Sequence, residues 1–323
     1  MLLVILALRT EYRPLTHQTR RHMPELPEIV TYIEALERFV LGQTLEAVRI
    51  RSPSLLRTYS PKASAIEGQR VLGLRRIGKR VVFELEDDLF VVIHLMISGR
   101  FKWTRRGAAI PRKRAHAAFD FPEGTLLLTE AATHKRASMH VVRGEESLRD
   151  LDPGGVEPLE VDARGFREAV LKENRTLKRV LTDPTIFSGI GNAHSDEILL
   201  RAGLSPVKRS RRLSDGEIER LRESTVRSLG EWVERLRAEA GDGFPTKITA
   251  FHPDMGAHGK FGKPCPRCGS PIQRIVYASR ETNYCATCQT GGRLLKDRAL
   301  SKLLGEDWPK TLEELEERRA VRE

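Results

Sequence analysis

The stretch Met23-Pro24-Glu25-Leu26-Pro27-Glu28 places two prolines and two acidic residues directly before a helical pattern. Residues 28–41 carry apolar side chains at helical spacing and Gly42 follows them, so we predict a helix there. A proline at a free N-terminus is a secondary amine, and α-amino groups have a pKa of about 7.7–8.0. Such an amine can attack a sugar carbon, with Glu25 beside it as general acid. The same residues also suit the first turn of an ordinary helix.

A catalytic role for Pro24 depends on what precedes it. While Met23 acylates Pro24, the proline nitrogen is an amide and not a nucleophile. Residues 1–22 have a short apolar run that lacks a basic flank before it and a small-residue cleavage site after it, so they make a poor secretory signal. Glu11 and the absence of Ser weaken the alternative of an organellar transit peptide. We therefore expect residues 1–22 to be a mis-assigned or removed extension.

Composition favours a polyanionic partner. The 323 residues carry a formal net charge of +11, and the sequence pI is about 9.7. This charge is typical of nucleic-acid-binding proteins, although many other proteins carry a similar charge for solubility. No apolar run reaches the ~18 residues of a membrane span, so no membrane partner is expected. The length predicts two domains.

After the first helix, the sequence predicts a region of strands followed by a region of helices. Short apolar stretches separated by turn residues predict an antiparallel sandwich or barrel, with strands at 45–50, 70–74, 80–86, 89–95, 117–121, 125–129 and 138–142. Beyond Pro153-Gly154-Gly155 we predict helices at 165–182 and 193–202, and a long helix that Ser214 and Glu217 open as a capping box.

Gly189-Ile190-Gly191-Asn192 forms a tight turn between two predicted helices. Glycines there let the backbone approach another group closely, and the amides at the next helix start would suit a phosphate. An ordinary helix–helix turn explains the same four residues.

The four cysteines predict a metal site. Cys265-x2-Cys268 and Cys285-x2-Cys288, separated by sixteen residues, have the spacing of a tetrahedral zinc site on a β-hairpin. Two disulfides are the alternative, which the lack of a credible secretory signal disfavours. We expect one structural Zn²⁺, because four thiolates leave no open position for chemistry.

Five motifs resemble, in order, those of the formamidopyrimidine-DNA glycosylase/endonuclease VIII family, over Met23 to about Gln289. They are Pro24-Glu25-Leu26-Pro27-Glu28, Arg75-Arg76-Ile77-Gly78-Lys79-Arg80, His94-Leu95-Met96-Ile97-Ser98-Gly99, Gly189-Ile190-Gly191-Asn192, and the cysteines with Arg280. Leu26 after the first Glu is typical of the formamidopyrimidine branch.

The resemblance implies an α+β fold, in which an N-terminal helix and an antiparallel β-sandwich precede a helical helix–two-turns–helix domain with a four-cysteine zinc-finger β-hairpin. The domain limits we expect are 1–22 for the extension, 23–153 for the catalytic β-sandwich domain, 154–262 for the helical domain, 263–290 for the zinc finger and 291–323 for a helical tail. Leu294, Leu295, Leu300, Leu303 and Leu304 suggest a helix that packs back, and Thr311 with Glu314 suggests the cap of another helix.

The resemblance also implies a bifunctional glycosylase and abasic-site lyase that acts on damaged double-stranded DNA as a monomer in the bacterial cytosol. Its catalytic residues would be Pro24, Glu25, Lys79 and Arg280. Pro24 would attack the sugar C1′, Glu25 would protonate the ring oxygen, and β- and δ-elimination would cut the strand. The DNA-binding positions would be Glu28, Met96, Ile97, Arg136 and Asn192, of which Glu28 would hold the first helix in place and Met96 or Ile97 would enter the duplex.

The sequence departs from the family pattern in three places. The family usually has a Met directly before Ser-Gly in the third motif, but here Ile97 stands there and Met96 lies one residue earlier. In the segment 133–138, Arg136 matches the expected arginine, but Ala137 stands where the family shows an aromatic wedge.

The segment from Thr246 to Cys265 is shorter than in members that cap an oxidised purine with a long loop. Oxidised pyrimidines, ring-opened purines and abasic sites therefore remain alternative substrates. An abasic-site lyase with little glycosylase activity and a non-catalytic zinc-finger DNA-binding protein are the rival interpretations.

Overall fold

The computed structural model describes residues 23–112, 114–130, 132, 134–246, 248–277, 280–297, 301 and 304–320. A first helix, α1 (Leu26–Val40), leads into eight strands. They are β1 (Ala47–Ile50), β2 (Val71–Ile77), β3 (Arg80–Leu85), β4 (Leu89–His94), β5 (Gly99–Thr104), β6 (Ala115–Phe121), β7 (Gly124–Glu130) and β8 (Ser138–Arg143). Among the described residues, no helix combines the length and apolar character needed to cross a membrane.

The strands form two four-stranded antiparallel sheets, in the orders β1-β6-β7-β5 and β2-β3-β4-β8. Phe83 on β3 stacks on Phe119 on β6, with ring centroids 6.4 Å apart, so the sheets face each other as a sandwich. Ile29, Tyr32 and Leu36 of α1 are buried in the same core. The sandwich and the first helix are confirmed.

Strand β5 was not among the predicted strands. Its sequence Arg100-Phe101-Lys102-Trp103 alternates charged and apolar residues, as expected for an edge strand with one buried face. The alternation was therefore present in the sequence. The prediction missed it because it relied on short apolar stretches, and the charged residues of β5 interrupt such a stretch.

The second domain is helical, with α2 (Glu145–Arg149) at its approach, then α3 (Ala163–Leu171), α4 (Leu177–Thr182), α5 (Asn192–Ala202) and α6 (Asp215–Ala240). The predicted helix 165–182 is wrong, because it is two helices. Thr176 is extended at the start of α4, and the Arg175 carbonyl accepts the amide of Ser210 at 2.8 Å instead of continuing a helix. The predicted capping box is confirmed, since Ser214 and Glu217 exchange hydrogen bonds of 2.9 and 3.3 Å.

The zinc-finger hairpin consists of β9 (Ile272–Tyr277) and β10 (Arg280–Cys285), and α7 (Ala286–Thr290) follows it. The tail ends in α8 (Leu312–Ala320). Leu294 is buried against the hairpin, and the Thr311 hydroxyl accepts the Glu314 amide at 3.2 Å, so packing of the tail and its cap are both confirmed. The predicted helix does not include Leu294 and Leu295, which lie in an irregular segment where they pack on the hairpin. Leu300 and Leu303 lie outside the described residues.

Helix α1 joins the two domains. Leu26 in its first turn is buried in the core of the helical domain, while Ile29 one turn later is buried in the core of the sandwich. The chain directly before α1 therefore reaches the boundary between domains, where the site described next is formed.

Candidate active site and DNA-facing loops

Glu25 lies at the N-terminus of helix α5, far from it in sequence. Its Oε2 accepts the amides of Gly191 and His194 at 2.8 and 3.1 Å, and its Oε1 accepts the amide of Ala193 at 2.9 Å. The residue is 2% exposed. Exposed amides and the helix dipole make a helix start an anion site, as the sequence predicted. In this protein the group at that site is the carboxyl of Glu25.

Gly191 allows Glu25 and Lys79 to meet. A Cβ atom on Gly191 would lie 2.4 Å from Glu25 Oε1 and 2.7 Å from Lys79 Nζ, so both reactive groups approach the same point on the backbone. Lys79 occupies the two-residue turn between β2 and β3, in which Gly78 has a φ of +59°. The structure thus brings the predicted general acid and the predicted lysine together.

Arg76 fixes that turn against the segment before α5. Its guanidinium donates to the carbonyl of Gly78 at 2.6 Å and to the Ser188 hydroxyl at 3.0 Å, and it pairs with Glu157. Gly189, with a φ of +80°, lies directly beneath it, because a Cβ there would be 2.7 Å from the Arg76 guanidinium. Contacts between the domains therefore set the position of Lys79.

Glu28 and His194 form a buried pair behind Glu25. Glu28 accepts the Glu25 amide at 2.8 Å with one oxygen, and its other oxygen lies 3.1 Å from His194 Nε2. Burial disfavours the charge on each group, but their mutual attraction outweighs it, so the pKa of Glu28 is lowered and that of His194 is raised. The predicted supporting role of Glu28 acquires a partner, His194, that the sequence did not indicate.

Pro24 is buried immediately before this network, and Met23 is half-buried. The Leu26 amide donates to the Gly189 carbonyl at 2.9 Å, which adds a backbone contact to the side-chain contacts of Glu25 and Glu28. The segment that carries the predicted nucleophile is therefore held at several points, so the position of a Pro24 amine would be well defined.

The predicted intercalating residues lie in the turn between β4 and β5. Ile97 is 39% exposed, whereas Met96 is half-buried in a left-handed conformation with a φ of +53°. The Met96 amide donates to His94 Nδ1 at 2.9 Å. Of the two candidates, Ile97 presents the apolar side chain to solvent, as a wedge must.

Arg136 is exposed on the segment between β7 and β8, called here the Arg136 loop. Its amide and that of Ala137 donate to Glu130 at 2.9 and 3.1 Å, and Ala137 is 2% exposed within the sandwich core. Position 137 therefore packs inward, and an aromatic wedge would not be accommodated there in this conformation.

Glu130 joins the two loops. The residue is 1% exposed and its carboxylate also accepts the Ser98 hydroxyl at 3.2 Å, while His116 Nε2 lies 2.7 Å away. Burial opposes ionisation, but the hydrogen bonds from His116 and the two loop amides outweigh it and lower the pKa of Glu130. No sequence signal indicates this role, because a lone glutamate at a strand end is usually exposed.

His94 belongs to the third motif, in which it had no predicted role of its own. Burial, together with the charges of Arg80, Lys79 and His140, lowers its pKa to about 4. The ring is therefore neutral at physiological pH, which agrees with Nδ1 acting as an acceptor for Met96. His94 thus connects the neighbourhood of Lys79 with the turn that bears Ile97.

Asn192 and the strand of Arg280 also meet. The side-chain amide of Asn192 donates to the Glu281 carbonyl at 3.0 Å, one residue after Arg280. An asparagine amide has two N–H donors, and this contact uses one of them. For Arg280 the structure describes the backbone, which pairs with Tyr277 at the end of the hairpin.

The four cysteines form the predicted metal site. Their sulfur atoms all lie within 4.8 Å of one another, and none forms a disulfide. Tetrahedral zinc with Zn–S bonds of about 2.3 Å requires such a cluster. The amides of Arg267 and Cys288 donate to the sulfurs of Cys265 and Cys285 at 3.4 Å, as expected around thiolates. The site fits one structural Zn²⁺.

Three family profiles match consecutive parts of the chain. The formamidopyrimidine-DNA glycosylase N-terminal domain matches residues 23–137, the formamidopyrimidine-DNA glycosylase H2TH domain matches 155–240, and the zinc finger found in FPG and IleRS matches 262–291. These matches contain the first helix, seven of the eight strands of the sandwich, the helix α5 site and the cysteine cluster.

Similar proteins and solved structures come from the same family as the profiles. The formamidopyrimidine-DNA glycosylase of Geobacillus kaustophilus is 37% identical over 288 residues, covering 83% of this chain and 100% of the relative, and that of Desulfitobacterium hafniense is 31% identical over 286 residues with the same coverage. A mutant Lactococcus lactis Fpg in complex with DNA containing Fapy-dG has a TM-score of 0.72 at 28% identity, covering 83% of this chain and 100% of that chain. MutM (Fpg) from Thermus thermophilus has a TM-score of 0.70 at 33% identity, covering 82% and 98%.

Proposed function

Given that the chain belongs to the formamidopyrimidine-DNA glycosylase family of base-excision repair enzymes, we propose that it excises oxidised or ring-opened bases with Pro24 as nucleophile and then nicks the strand. The observation that carries the proposal is the meeting of Glu25 and Lys79 at Gly191, directly after Pro24. This supports an arrangement in which Pro24 as nucleophile, Glu25 as acid and Lys79 as cation act on one nucleotide.

The reaction begins with a flipped nucleotide, because the sugar carbon is inaccessible inside the stacked duplex. The Pro24 amine forms a bond to C1′ and the bond to the base breaks, so the base leaves with the electron pair. Glu25 gives a proton to the sugar ring oxygen as the ring opens. The resulting iminium acidifies the C2′ proton. Its loss breaks the C3′–O bond and expels the 3′ phosphate by β-elimination, and loss of a second proton breaks the C5′–O bond and expels the 5′ phosphate by δ-elimination.

Lys79, Asn192 and Arg280 hold the DNA backbone around the flipped nucleotide, because cations and amide donors suit phosphate oxygens. Ile97 is the better-placed wedge, and Arg136 occupies the space that the flipped nucleotide leaves. Damaged double-stranded DNA is the partner. We expect a monomer in the bacterial cytosol, since one chain supplies every group.

The chemistry requires removal of Met23 and all that precedes it. The test therefore uses protein whose mass shows Pro24 at the N-terminus, incubated with duplexes that contain 8-oxoguanine, an oxidised pyrimidine or an abasic site. Base release and strand nicking are measured separately. Release and nicking on at least one base lesion support the proposal, and binding without either reaction contradicts it.

A second candidate is an abasic-site lyase with little glycosylase activity. It is favoured by the burial of Ala137, which leaves the Arg136 loop without an aromatic wedge. In the same assay, nicking of the abasic duplex without release of any base would identify it.

A further inference from the structure

The segment after the zinc finger packs against the finger hairpin. The zinc-finger family profile ends at residue 291, but the chain continues. Leu294 and Leu312 bury the hairpin residues Ile275 and Tyr284, which are 0% and 1% exposed, and Leu295 and Leu315 pack at the edge of this cluster. The described residues 292–297, 301 and 304–320 are named here the brace, and their leucines cover one side of the hairpin.

The brace has its own internal order. The Leu294 amide donates to the Lys310 carbonyl at 2.9 Å, and the Leu312 amide donates to the Gly292 carbonyl at 3.0 Å. The first residues of the brace are thereby joined to the start of α8. The Leu295 amide donates to the Tyr284 hydroxyl at 2.8 Å, which gives this buried phenol a polar partner. Hydrogen bonds and apolar contacts therefore both attach the brace to the finger.

Asp297 connects the brace to the end of the hairpin that carries Arg280. It is 3% exposed, and its Oδ2 accepts the amide of Val276 at 2.6 Å. Val276 pairs with Glu281 across the hairpin, and the Glu281 carbonyl accepts the Asn192 side chain. The pair Val276–Glu281 is thus held from both edges of the hairpin. Asp297 bonds to Val276 on β9, and Asn192 bonds to Glu281 on β10.

The zinc site cannot restrain this part of the hairpin directly. Cys285 ends β10 at one end of the hairpin, whereas Arg280 begins β10 at the other end and pairs with Tyr277. An isolated two-stranded hairpin is marginally stable in water, so its far end needs other contacts. The edge contacts on the neighbouring pair Val276–Glu281 supply them.

We propose that the brace is a positioning element for Arg280, and that it acts through the Asp297–Val276 hydrogen bond. The inference rests on the proposed function, in which Arg280 contacts the DNA backbone. Asn192 and Asp297 together fix the backbone position from which the Arg280 side chain extends. Loss of Asp297 leaves zinc binding intact but loosens the hairpin end, and DNA affinity falls.

The first test compares Asp297→Ala with Asp307→Ala in the full-length, zinc-loaded, Pro24-ended protein. Asp307 is an exposed acid in the same segment, so it controls for the charge change. We expect Asp297→Ala to weaken binding of a tetrahydrofuran-containing duplex about tenfold, because a buried charged hydrogen bond is lost. Zinc content should stay at one per chain, Asp307→Ala should bind normally, and Asp297→Asn, which keeps an acceptor oxygen, should recover part of the affinity.

The second test asks whether the loss runs through Arg280. In an Arg280→Ala background, Asp297→Ala should cause less than about a twofold further loss, since residues acting as a unit are not additive. A full tenfold additional loss, a loss of zinc, or unchanged binding in Asp297→Ala would each overturn the proposal.

A third measurement separates this proposal from the proposed function. Amide hydrogen exchange of Val276, without DNA, should be faster in Asp297→Ala than in the wild type and in Asp307→Ala. Unchanged exchange overturns the brace even if the enzyme is active. If exchange is faster in Asp297→Ala while the wild-type protein neither releases bases nor nicks abasic DNA, the proposed function is contradicted and the contact between the brace and the hairpin is supported.

Discussion

Two buried glutamates, Glu25 and Glu130, hold the candidate active site and the Arg136 loop in the same way. Each accepts backbone amides from another segment of the chain, three from the start of α5 at Glu25 and two from the Arg136 loop at Glu130. The regions differ in their neighbours. Glu25 lies beside Pro24 and Lys79, whereas Glu130 contacts His116 and Ser98. One carboxylate–amide arrangement can therefore serve catalysis in one region and loop geometry in the other.

Glu25→Gln should have the largest effect of the changes considered. The amide cannot donate a proton to the sugar as a carboxylic acid does, so base excision should fall by about 10²–10⁴-fold. Its NH₂ group must also face at least one of the three amides at the start of α5, so the free energy of unfolding should fall by about 1–3 kcal/mol, as in Glu130→Gln. Single-turnover base release on a lesion duplex measures the loss of excision. Duplex affinity should change little, and an excision rate close to that of the wild type would remove Glu25 from the mechanism.

Gly191→Ala should have the next largest effect, because a methyl group would collide with both Glu25 and Lys79. Displacement by about 1 Å can cost roughly 10²-fold in rate, and overpacking costs about 1–3 kcal/mol in the free energy of unfolding. Urea unfolding and single-turnover nicking measure the two losses.

Gly230→Ala is the matched control for that substitution. Gly230 lies within α6, and its added Cβ would meet nothing within 4 Å. The control should gain about 0.5–1 kcal/mol of stability and keep full activity. Equal losses in the two variants would show that Gly191 has no special role at the site.

Glu130→Gln tests whether Glu130 fixes the loop structure without taking part in base excision. The new NH₂ group must face His116 or the loop amides as a donor against donors, so stability should fall by about 1–3 kcal/mol. Duplex affinity should fall with it, whereas single-turnover excision at saturating enzyme should stay near the wild-type rate. A loss of rate as large as that of Glu25→Gln would contradict the distinction between the two regions.

The smallest effect concerns pH and the Glu28–His194 pair. Since the folded pKa of Glu28 is below its ordinary 4.5, its contribution to stability is present above that pH and is lost as the pH falls through the lowered value. Since the folded pKa of His194 is above its ordinary 6.5, its contribution is full below that pH and is lost as the pH rises through the raised value. The pair therefore stabilises most between pH 4.5 and 6.5.

His194→Gln tests this pH dependence. The variant should be less stable than the wild type in that window, and the difference should shrink toward alkaline pH. Urea unfolding between pH about 5 and 9 gives the two curves. A constant difference across this range would show that His194 is not charged in the folded protein.

Much of the fold could be predicted from sequence, because its signals are local. The capping box at Ser214, the spacing of the cysteines and the alternating strands each depend on residues close together in the chain. The break between α3 and α4 was missed because it depends on a tertiary contact, in which the Arg175 carbonyl accepts the amide of Ser210.

At the site, the motifs indicated Glu25, Lys79 and Asn192 but not what holds them. The glycines at 189 and 191 correctly predicted a close approach, but the group that approaches Gly191 is a side chain of the same protein and not a phosphate. His194 and Glu130 carry no local signal, since the partners that define them, Glu28 and the Arg136 loop with Ser98, come together only in the folded chain.

The central claim is that the nucleophile is the amine of Pro24. The most direct measurement is borohydride trapping on an abasic duplex, with one protein that begins at Pro24 and one that retains Met23, followed by mass mapping of the cross-linked peptide. We predict an adduct only with the Pro24-ended protein, attached at Pro24. An adduct of equal yield when Met23 is retained, or one that maps to Lys79, would contradict the account.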